Sequence, residues 1–280
     1  MKFLRTLLVL GRVSNLPTVW TNVLAGWFLV GGGKFGAELA LIMLGISLLY
    51  VAGMTLNDAF DQGWDKENAP ERPIPSGAIS GNTAWTIGLI EMVSGIAVLL
   101  VGTSCEPLGV VMLLFAIMGY NWLHKRWMGS VLLMGLCRAL VYLLAGSAAF
   151  AERVPPTPLL FLAGTMLLYV AGITLVARFE RSEKRAPVLF GQFLLFCPVV
   201  ALTLVERTPT NTVFLGLWLA WMIISLVTIR TSIPRGVAFL IAGIVLIDAA
   251  AIASVDSQTA MFTLFFMPLT LLLQKFIPAT

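Results

Sequence analysis

The chain has 280 residues with a mean hydropathy of +0.93, and only 11% of its residues are charged. A soluble domain carries roughly 25% charged residues, so the composition excludes an ordinary soluble protein. The net charge of +4 is explained by basic residues that are concentrated on one side of a membrane, as described below. We therefore expect no nucleic-acid partner.

Ten apolar segments are predicted to cross a lipid bilayer as helices. Each is close to the roughly 20 residues that a helix needs to cross a hydrocarbon core about 30 Å thick. In chain order the predicted spans are 15–33, 38–57, 82–102, 107–123, 129–150, 158–177, 187–205, 211–229, 236–254 and 259–276. We therefore predict an all-α fold, a polytopic membrane bundle that forms a single domain over residues 1–280.

Basic residues set the predicted orientation of these spans. With the amino terminus in the cytoplasm, cytoplasmic segments hold fourteen Lys and Arg, and the outer loops hold three. Such an excess is typical of the cytoplasmic side of membrane proteins. The first twelve residues lack the apolar core and cleavage site of a signal peptide, so we interpret them as an interfacial segment. The loop 58–81 is placed in the cytoplasm.

The second span runs into NDAFDQGWD, residues 57–65, a concentration of acids that is unusual in so apolar a chain. Asp58, Asp61 and Asp65 are spaced so that a continuing helix would carry them on one face, within about 20° of each other. Three neighbouring carboxylates repel one another and need a cation. Their oxygens favour Mg²⁺, which proteins usually share with substrate phosphates. The motif predicts a magnesium site in which the three aspartates are metal ligands and catalytic residues.

Part of the second span recurs later in the chain. LLYVAGMTLNDAFD (48–61) and LLYVAGITLVARFE (167–180) share nine of fourteen residues. We interpret the similarity as an internal repeat covering about 40–75 and 159–187. If the copies pack about a pseudo-twofold axis, the acidic loop of the first faces the mostly basic ARFERSEKR of the second. Such a cavity is typical of a site for metal-chelated anions.

The acidic motif also carries a family resemblance. NDAFDQGWD followed by ERPIPSGAIS resembles the first aspartate-rich motif and following loop of the UbiA superfamily of intramembrane prenyltransferases. YNWLHKR, residues 120–126, is similar to that family's Tyr-to-Lys motif, and the resemblance covers about residues 10–230. The opening GRVSNLPTVWTNVLAG looks most like the branch encoded in bacterial ebo-type gene clusters. The resemblance implies a UbiA-like bundle around a central cavity with nine transmembrane helices, one fewer than our ten spans, so we expect nine or ten.

The resemblance implies a function and a set of binding residues. A prenyl group would pass from a polyprenyl diphosphate to a lipophilic, aromatic acceptor, with Mg²⁺ assisting departure of the diphosphate and a dry cavity protecting the allylic cation. The protein would lie in the bacterial inner membrane with its site facing the cytoplasm. By the same resemblance, the diphosphate would contact Asn22, Asn57, Arg72, Tyr120 and Lys125.

The second copy of the repeat departs from the family's second aspartate-rich motif. Only Glu180 keeps an acid in register, and Lys184 stands where the first copy has Asp65. We predict Glu180 as a further metal ligand, and Arg178 and Lys184 as cations that bind diphosphate in place of a second Mg²⁺. The alternative is that both cations are only part of the cytoplasmic excess of positive charge.

Three charged residues lie well inside predicted spans, away from their ends. Arg138 is predicted to face the bundle interior, where it would bind the diphosphate or the acceptor; a structural ion pair is the alternative. Glu91 or Asp248 would be its partner, or would take up a proton during the reaction. His124 is interpreted as an interfacial residue, and the cysteines as small core residues: Cys105, Cys137 and Cys197.

Two other functions stay open. A prenyl diphosphate cyclase would use the same metal site, and a non-catalytic transporter or binding protein of the same fold would also contain buried charges and a repeat. The repeat is parallel in the predicted topology and the acids lie at the membrane surface, which favours an enzyme. Mg²⁺-dependent release of diphosphate would distinguish an enzyme from a transporter.

Overall fold

The computed structural model describes residues 2–150, 155–178, 185–204 and 207–279. Within these ranges the chain is helical and contains no β-strand, which confirms the all-α prediction. The α-helices are α1 (Lys2–Leu10), α2 (Leu16–Leu29), α3 (Ala37–Asn68), α4 (Gly81–Gly102), α5 (Pro107–Leu123), α6 (Ser130–Ala149), α7 (Thr157–Arg178), α8 (Arg185–Leu194), α9 (Pro198–Leu204), α10 (Pro209–Thr231), α11 (Ile233–Ile252), α12 (Ser257–Leu264) and α13 (Phe266–Gln274).

Six helices of the described ranges are long and apolar enough to cross a membrane: α3, α4, α6, α7, α10 and α11. α5 has 17 residues and the same bounds as its predicted span, 107–123, whereas α2 has 14 residues and is shorter than its span, 15–33. The count of nine or ten transmembrane helices and the extent of the single domain stay predictions.

Two predicted spans are each divided into two short helices by a proline. α8 ends at Leu194, four residues before Pro198, and α12 ends at Leu264, four residues before Pro268. A proline has no N–H to donate to the carbonyl four residues earlier, and its ring clashes with that carbonyl. The spans 187–205 and 259–276 are therefore not the continuous helices that hydropathy alone predicted.

The second span is longer than predicted. α3 has 32 residues and continues beyond residue 57 to Asn68, so the whole acidic motif is helical. Ala69, which follows the helix, has φ of −151° and precedes Pro70. A proline disfavours the helical conformation of the residue before it, and the helix ends there for that reason.

Three pairs of consecutive helices pack extensively against each other: α3 with α4, α6 with α7, and α10 with α11. α2 lies among them and contacts α3, α6 and α11. α2 and α6 approach closely at Gly26, where a Cβ would overlap the backbone of Tyr142. Small residues permit such approaches between membrane helices. This packing holds polar residues of α2, α6 and α11 together inside the bundle.

Candidate active site

The three carboxylates of the acidic motif lie on one buried face of α3. The exposed fractions of Asp58, Asp61 and Asp65 are 6%, 4% and 1%. Gln62 and Trp64, on the intervening turn, are exposed. The spacing of the aspartates matches the helical repeat of 3.6 residues, so a single helix presents all three to the same side.

Arg72 lies at the centre of this face. Its Nη1 is 2.9 Å from Asp65 Oδ2, 3.7 Å from Asp58 Oδ1 and 4.0 Å from Asp61 Oδ2. Burial by itself lowers the pKa of the guanidinium, but the carboxylates of Asp58 and Asp65 outweigh it and hold that pKa above its ordinary value. The loop after α3 thus folds back and places one fixed cation against all three acids.

Three further basic side chains approach the acidic face from other elements. Lys125 Nζ is 3.3 Å and His124 Nε2 is 3.0 Å from Asp61 Oδ2, and both follow the last turn of α5. Arg12 Nη2 is 3.5 Å from Asp58 Oδ1. Lys125 also lies over the ring of Trp64, 3.7 Å from its centroid.

The contacts of Arg12 and His124 were not predicted from the sequence. His124, interpreted above as interfacial, bonds Asp61, and its ring stacks on Tyr120 with centroids 5.1 Å apart. Arg12 has φ of 43° and ψ of 47°, a left-handed conformation that is uncommon outside glycine. Strained residues of this kind are concentrated at functional sites. The one sequence signal for Arg12 was its position at the end of the interfacial segment.

Asn57 and Tyr120 lie beside the acidic face and belong to the α3–α5 contact. Asn57 Nδ2 donates to Asn121 Oδ1 at 3.2 Å, and Asn121 Nδ2 donates to the Gly53 carbonyl at 3.0 Å. Tyr120 and Asn121 also line a cavity of about 60 Å³, measured as the volume open to the centre of a water-sized sphere. Its lining residues belong to α2, α3, α5 and α6, and most of the lining is apolar.

The remaining predicted diphosphate residues in the described part of the chain bond partners other than the three carboxylates. Asn22 and Arg138 bond each other across α2 and α6, with Arg138 Nη1 2.7 Å from Asn22 Oδ1. Arg178 Nη1 donates to the Trp127 carbonyl at 3.2 Å, at the turn before α6. Glu180 and Lys184 lie outside the described residues.

The arrangement of the acids limits the kind of metal site that they can form. Among the described residues, no group of three or more His, Cys, Asp or Glu side chains is arranged to hold a metal ion by itself. Asp58 Oδ1 is buried and accepts no hydrogen bond there. Mg²⁺ usually binds one or two carboxylates and completes its coordination with waters and substrate phosphates. The acidic face therefore fits Mg²⁺ shared with a phosphate ligand, and does not fit a site closed by protein ligands.

The fold and this face together define a multi-pass helical membrane protein with an acidic, metal-competent site at the end of a long helix. A profile described as the UbiA prenyltransferase family matches residues 18–271. The match covers most of the chain, and the chain belongs to this family. The resemblance seen in the aspartate-rich motif is confirmed, while the assignment to the ebo-type branch stays a prediction.

Curated relatives match parts of the chain. A digeranylgeranylglyceryl phosphate synthase of Methanocaldococcus jannaschii is 27% identical over 78% of this chain and 80% of its own length. A 4-hydroxybenzoate octaprenyltransferase of Photobacterium profundum is 28% identical over 65% of this chain and 66% of its own. A Sulfolobus acidocaldarius digeranylgeranylglyceryl phosphate synthase is 31% identical over 38% of this chain and 36% of its own. The chain thus spans between about a third and two thirds of several of these relatives.

Solved structures share the fold. The apo structure of a UbiA homolog from Aeropyrum pernix K1 matches with a TM-score of 0.66 and 18% identity, over 85% of this chain and 95% of that one. A UbiA homolog from Archaeoglobus fulgidus bound to GPP and Mg²⁺ matches with a TM-score of 0.63 and 16% identity, over 95% and 100% of the two chains. At these identities the likeness establishes the fold alone.

Proposed function

We propose that this protein is a UbiA-type prenyltransferase that moves a prenyl group from a polyprenyl diphosphate to a lipophilic acceptor. The observation that carries the proposal is the buried face of Asp58, Asp61 and Asp65 next to a largely apolar cavity. The binding of GPP and Mg²⁺ by the Archaeoglobus fulgidus homolog supports the same assignment. We infer the bacterial inner membrane as its location and the cytoplasm as the side that the acidic face meets.

Mg²⁺ held by Asp58 and Asp61, when bound, would neutralise the diphosphate and stabilise the charge that develops as it leaves. Arg72 and Lys125 pair with the carboxylates in the described structure, at 2.9 Å and 3.3 Å. In the proposed complex, both turn from a carboxylate oxygen to a diphosphate oxygen. Arg presents a planar fork to phosphate and Lys a point charge, so the two cations would hold the diphosphate in one orientation. Asp65, the least exposed of the acids, keeps Arg72 in place.

The cavity supplies the dry surroundings that an allylic cation requires. Its walls on α2, α3, α5 and α6 are mostly aliphatic, and Tyr50 and Tyr120 add aromatic rings. Aromatic faces attract a cation, and the apolar walls exclude water that would quench it. We propose an aromatic acceptor, in line with the 4-hydroxybenzoate enzyme among the relatives. The digeranylgeranylglyceryl phosphate synthases among them make a lipid acceptor the second candidate.

The altered second motif belongs to the proposal as well. We propose that Glu180 is the one acid of the second loop that contributes to a metal, and that Arg178 and Lys184 bind diphosphate from that side. In the described state Arg178 donates to the Trp127 carbonyl, so it would leave that carbonyl when it binds the diphosphate.

Binding of geranyl diphosphate to the purified full-length protein tests this function. Wild type should bind it only with Mg²⁺ and release diphosphate when membrane lipid extract is added, and EDTA should abolish both. Asp58→Asn and Asp61→Asn should lose binding by about 100-fold, because each removes a charged oxygen ligand from a buried site. Glu67→Gln is the matched control, since Glu67 is exposed on the same helix.

The outcomes separate the candidate functions. Release of diphosphate without prenylated product would favour a cyclase. Binding without any release would favour a transporter or binding protein, and binding that is independent of Mg²⁺ and of both aspartates would contradict the proposed site.

A further inference from the structure

A second polar cluster lies inside the bundle, apart from the acidic face. Its centre is Asp248 on α11, which is completely buried. The carboxylate accepts hydrogen bonds from Thr21 Oγ1 at 2.5 Å, Asn22 Nδ2 at 2.8 Å and Tyr142 Oη at 2.5 Å. All three donors are themselves fully buried. A carboxylate this far from water is expensive unless it is fully hydrogen-bonded, so the cluster forms a specific structure and not an incidental contact.

Asn22 connects this carboxylate to Arg138. Its Nδ2 donates to Asp248, and its Oδ1 accepts from Arg138 Nη1 at 2.7 Å. A primary amide has one acceptor oxygen and one donor nitrogen. The nitrogen donates to Asp248 and also to Tyr142 Oη at 2.7 Å, so the oxygen is the end that meets the guanidinium. Arg138 Nη2 is also held by Thr18 Oγ1 at 3.1 Å. Arg138 is therefore fixed by Thr18 and by Asn22, and the amide of Asn22 is in turn bonded to Asp248.

Arg138 lines the cavity and is the one charged residue among the lining residues. Its guanidinium lies 5.7 Å from the centroid of the Tyr50 ring. None of the described carboxylates forms an ion pair with it, and its two bonds above use two of five N–H donors. A fixed cation with spare donors, in an apolar cavity, is suited to an anionic oxygen group of a ligand.

The position of Arg138 separates this subsite from the acidic face. Arg138 lies eight residues after Ser130, the first residue of α6, so the two are about 12 Å apart along the helix axis. Ser130 marks the end of α6 that the Arg178 side chain contacts. Tyr50, beside it, precedes Asp58 by eight residues on α3, again about 12 Å of helix. A diphosphate bound at the aspartates would leave Arg138 deeper in the bundle, next to the other occupant of the cavity.

We propose that Arg138 binds an anionic headgroup, a carboxylate or a phosphate, on the acceptor substrate, and that Asp248 is its positioning residue through Asn22. This rests on the proposed prenyl transfer, since it assigns the second substrate of that reaction. Without Asp248, Asn22 Nδ2 keeps only the Tyr142 hydroxyl oxygen as its acceptor, 2.7 Å away, and the amide is held less firmly. Arg138 is then supported by a less rigid partner, and its remaining donors are less well directed into the cavity.

The experiment measures binding to the purified full-length protein with two anionic probes and their neutral partners. The probes are 4-hydroxybenzoate against its methyl ester, and geranylgeranylglyceryl phosphate against geranylgeranylglycerol. At least one anionic probe should bind wild type about tenfold or more tightly than its partner, the range that one charge-assisted contact gives. Whichever probe does so identifies the source of the anion.

The variants distinguish a binding role from a structural one. Arg138→Gln and Asp248→Asn should each weaken the anionic probe about tenfold, to the level of its neutral partner. Tyr142→Phe removes one hydrogen bond to Asp248 and should weaken binding of the anionic probe by a smaller factor. It replaces Asp248→Asn as the test if that variant does not fold. Glu91→Gln removes another intramembrane carboxylate, which neither lines the cavity nor pairs with Arg138 in the described structure, and it should leave binding of the probes unchanged.

Binding of geranyl diphosphate with Mg²⁺ is measured in the same variants and should change less than about twofold. If a variant lost affinity for geranyl diphosphate as much as for the probe, Arg138 would contact the prenyl diphosphate and not the acceptor, and the proposal would be overturned. Equal binding of anionic and neutral probes by wild type would also overturn it. Failure of wild type to bind geranyl diphosphate would contradict the proposed function instead, whatever the probes do.

Discussion

The guanidinium of Arg72 lies 2.9 Å from the carboxylate of Asp65, seven residues earlier in the chain. This contact closes the loop after α3 over the acidic face and brings the same Nη1 within 4.0 Å of Asp58 and Asp61. The aspartates are therefore neutralised by the protein's own cations in the described state. Metal and diphosphate would have to displace these contacts.

Replacing Arg72 should separate metal affinity from diphosphate affinity. Arg72→Ala removes a cation from among three carboxylates, so Mg²⁺ should bind more tightly, while geranyl diphosphate should bind about tenfold more weakly. Titrations of each ligand measure both effects. Lys66→Ala, which removes an exposed cation of α3, is the control. A parallel loss of both affinities would mean that Arg72 only maintains the fold of the loop.

Lys125 should contribute to diphosphate binding through its positive charge and the position of its ammonium group. Lys125→Ala is expected to weaken geranyl diphosphate binding about tenfold, and Lys125→Arg to recover part of it, because an arginine keeps the charge with different geometry. Trp64→Leu removes the ring under the ammonium and should cost less, since an exposed cation–π contact is worth about 0.5–1 kcal/mol. Equal binding by Lys125→Ala and wild type would exclude Lys125 from the diphosphate site.

Arg12 combines backbone strain with a contact to Asp58, and two substitutions separate them. Arg12→Gly relieves the left-handed conformation and should be about 1 kcal/mol more stable than Arg12→Ala, which retains it. Both variants lose the guanidinium near Asp58 and should be equally defective in binding geranyl diphosphate. Thermal unfolding in detergent and the binding assay are the measurements. If Arg12→Gly binds like wild type, the side chain has no role at the site.

The cap of α12 should make a pH-dependent contribution to stability. Asp256 accepts from the Gln258 N–H, and the Thr259 hydroxyl bonded to it lowers the pKa of its carboxyl. A lowered folded-state pKa gives stability that is present above the unfolded value, near 4, and is lost as pH falls through the folded value. Asp256→Ala should cost about 1 kcal/mol at neutral pH.

The difference in thermal midpoint between Asp256→Ala and wild type should shrink as the pH is lowered below about 4. Ser257→Ala, at an exposed neighbouring position, is the comparison. A constant difference across this range would show that the ionised carboxylate is not what caps the helix.

The predicted orientation is open to a direct test. Reporters fused at residues 66 and 126 should lie on the cytoplasmic side, and reporters at 34 and 106 on the opposite side, because basic residues are concentrated in the former segments. A reporter at the carboxyl terminus distinguishes ten crossings from nine. The same side for 66 and 106 would contradict the topology.

The sequence by itself determined the features that depend on neighbouring residues. Hydropathy identified a helical membrane protein, and the spacing of Asp58, Asp61 and Asp65 placed them on one face, since helical periodicity is a local property. Pro70 marked the end of α3. Pro198 and Pro268 were equally visible, but hydropathy averages over a window and does not register a lost hydrogen bond, so the two broken helices were predicted as continuous.

Only the tertiary structure decided which side chains meet across helices. Arg138 reaches Asn22 over 116 residues of sequence, and Asn22 reaches Asp248 over 226. From the sequence, Glu91 or Asp248 was the expected direct partner of Arg138, and the structure places the amide of Asn22 between Arg138 and Asp248. The periodicity of the sequence shows which face of a helix is polar. Which other helix that face contacts depends on helix packing, including close approaches such as that of α2 and α6 at Gly26.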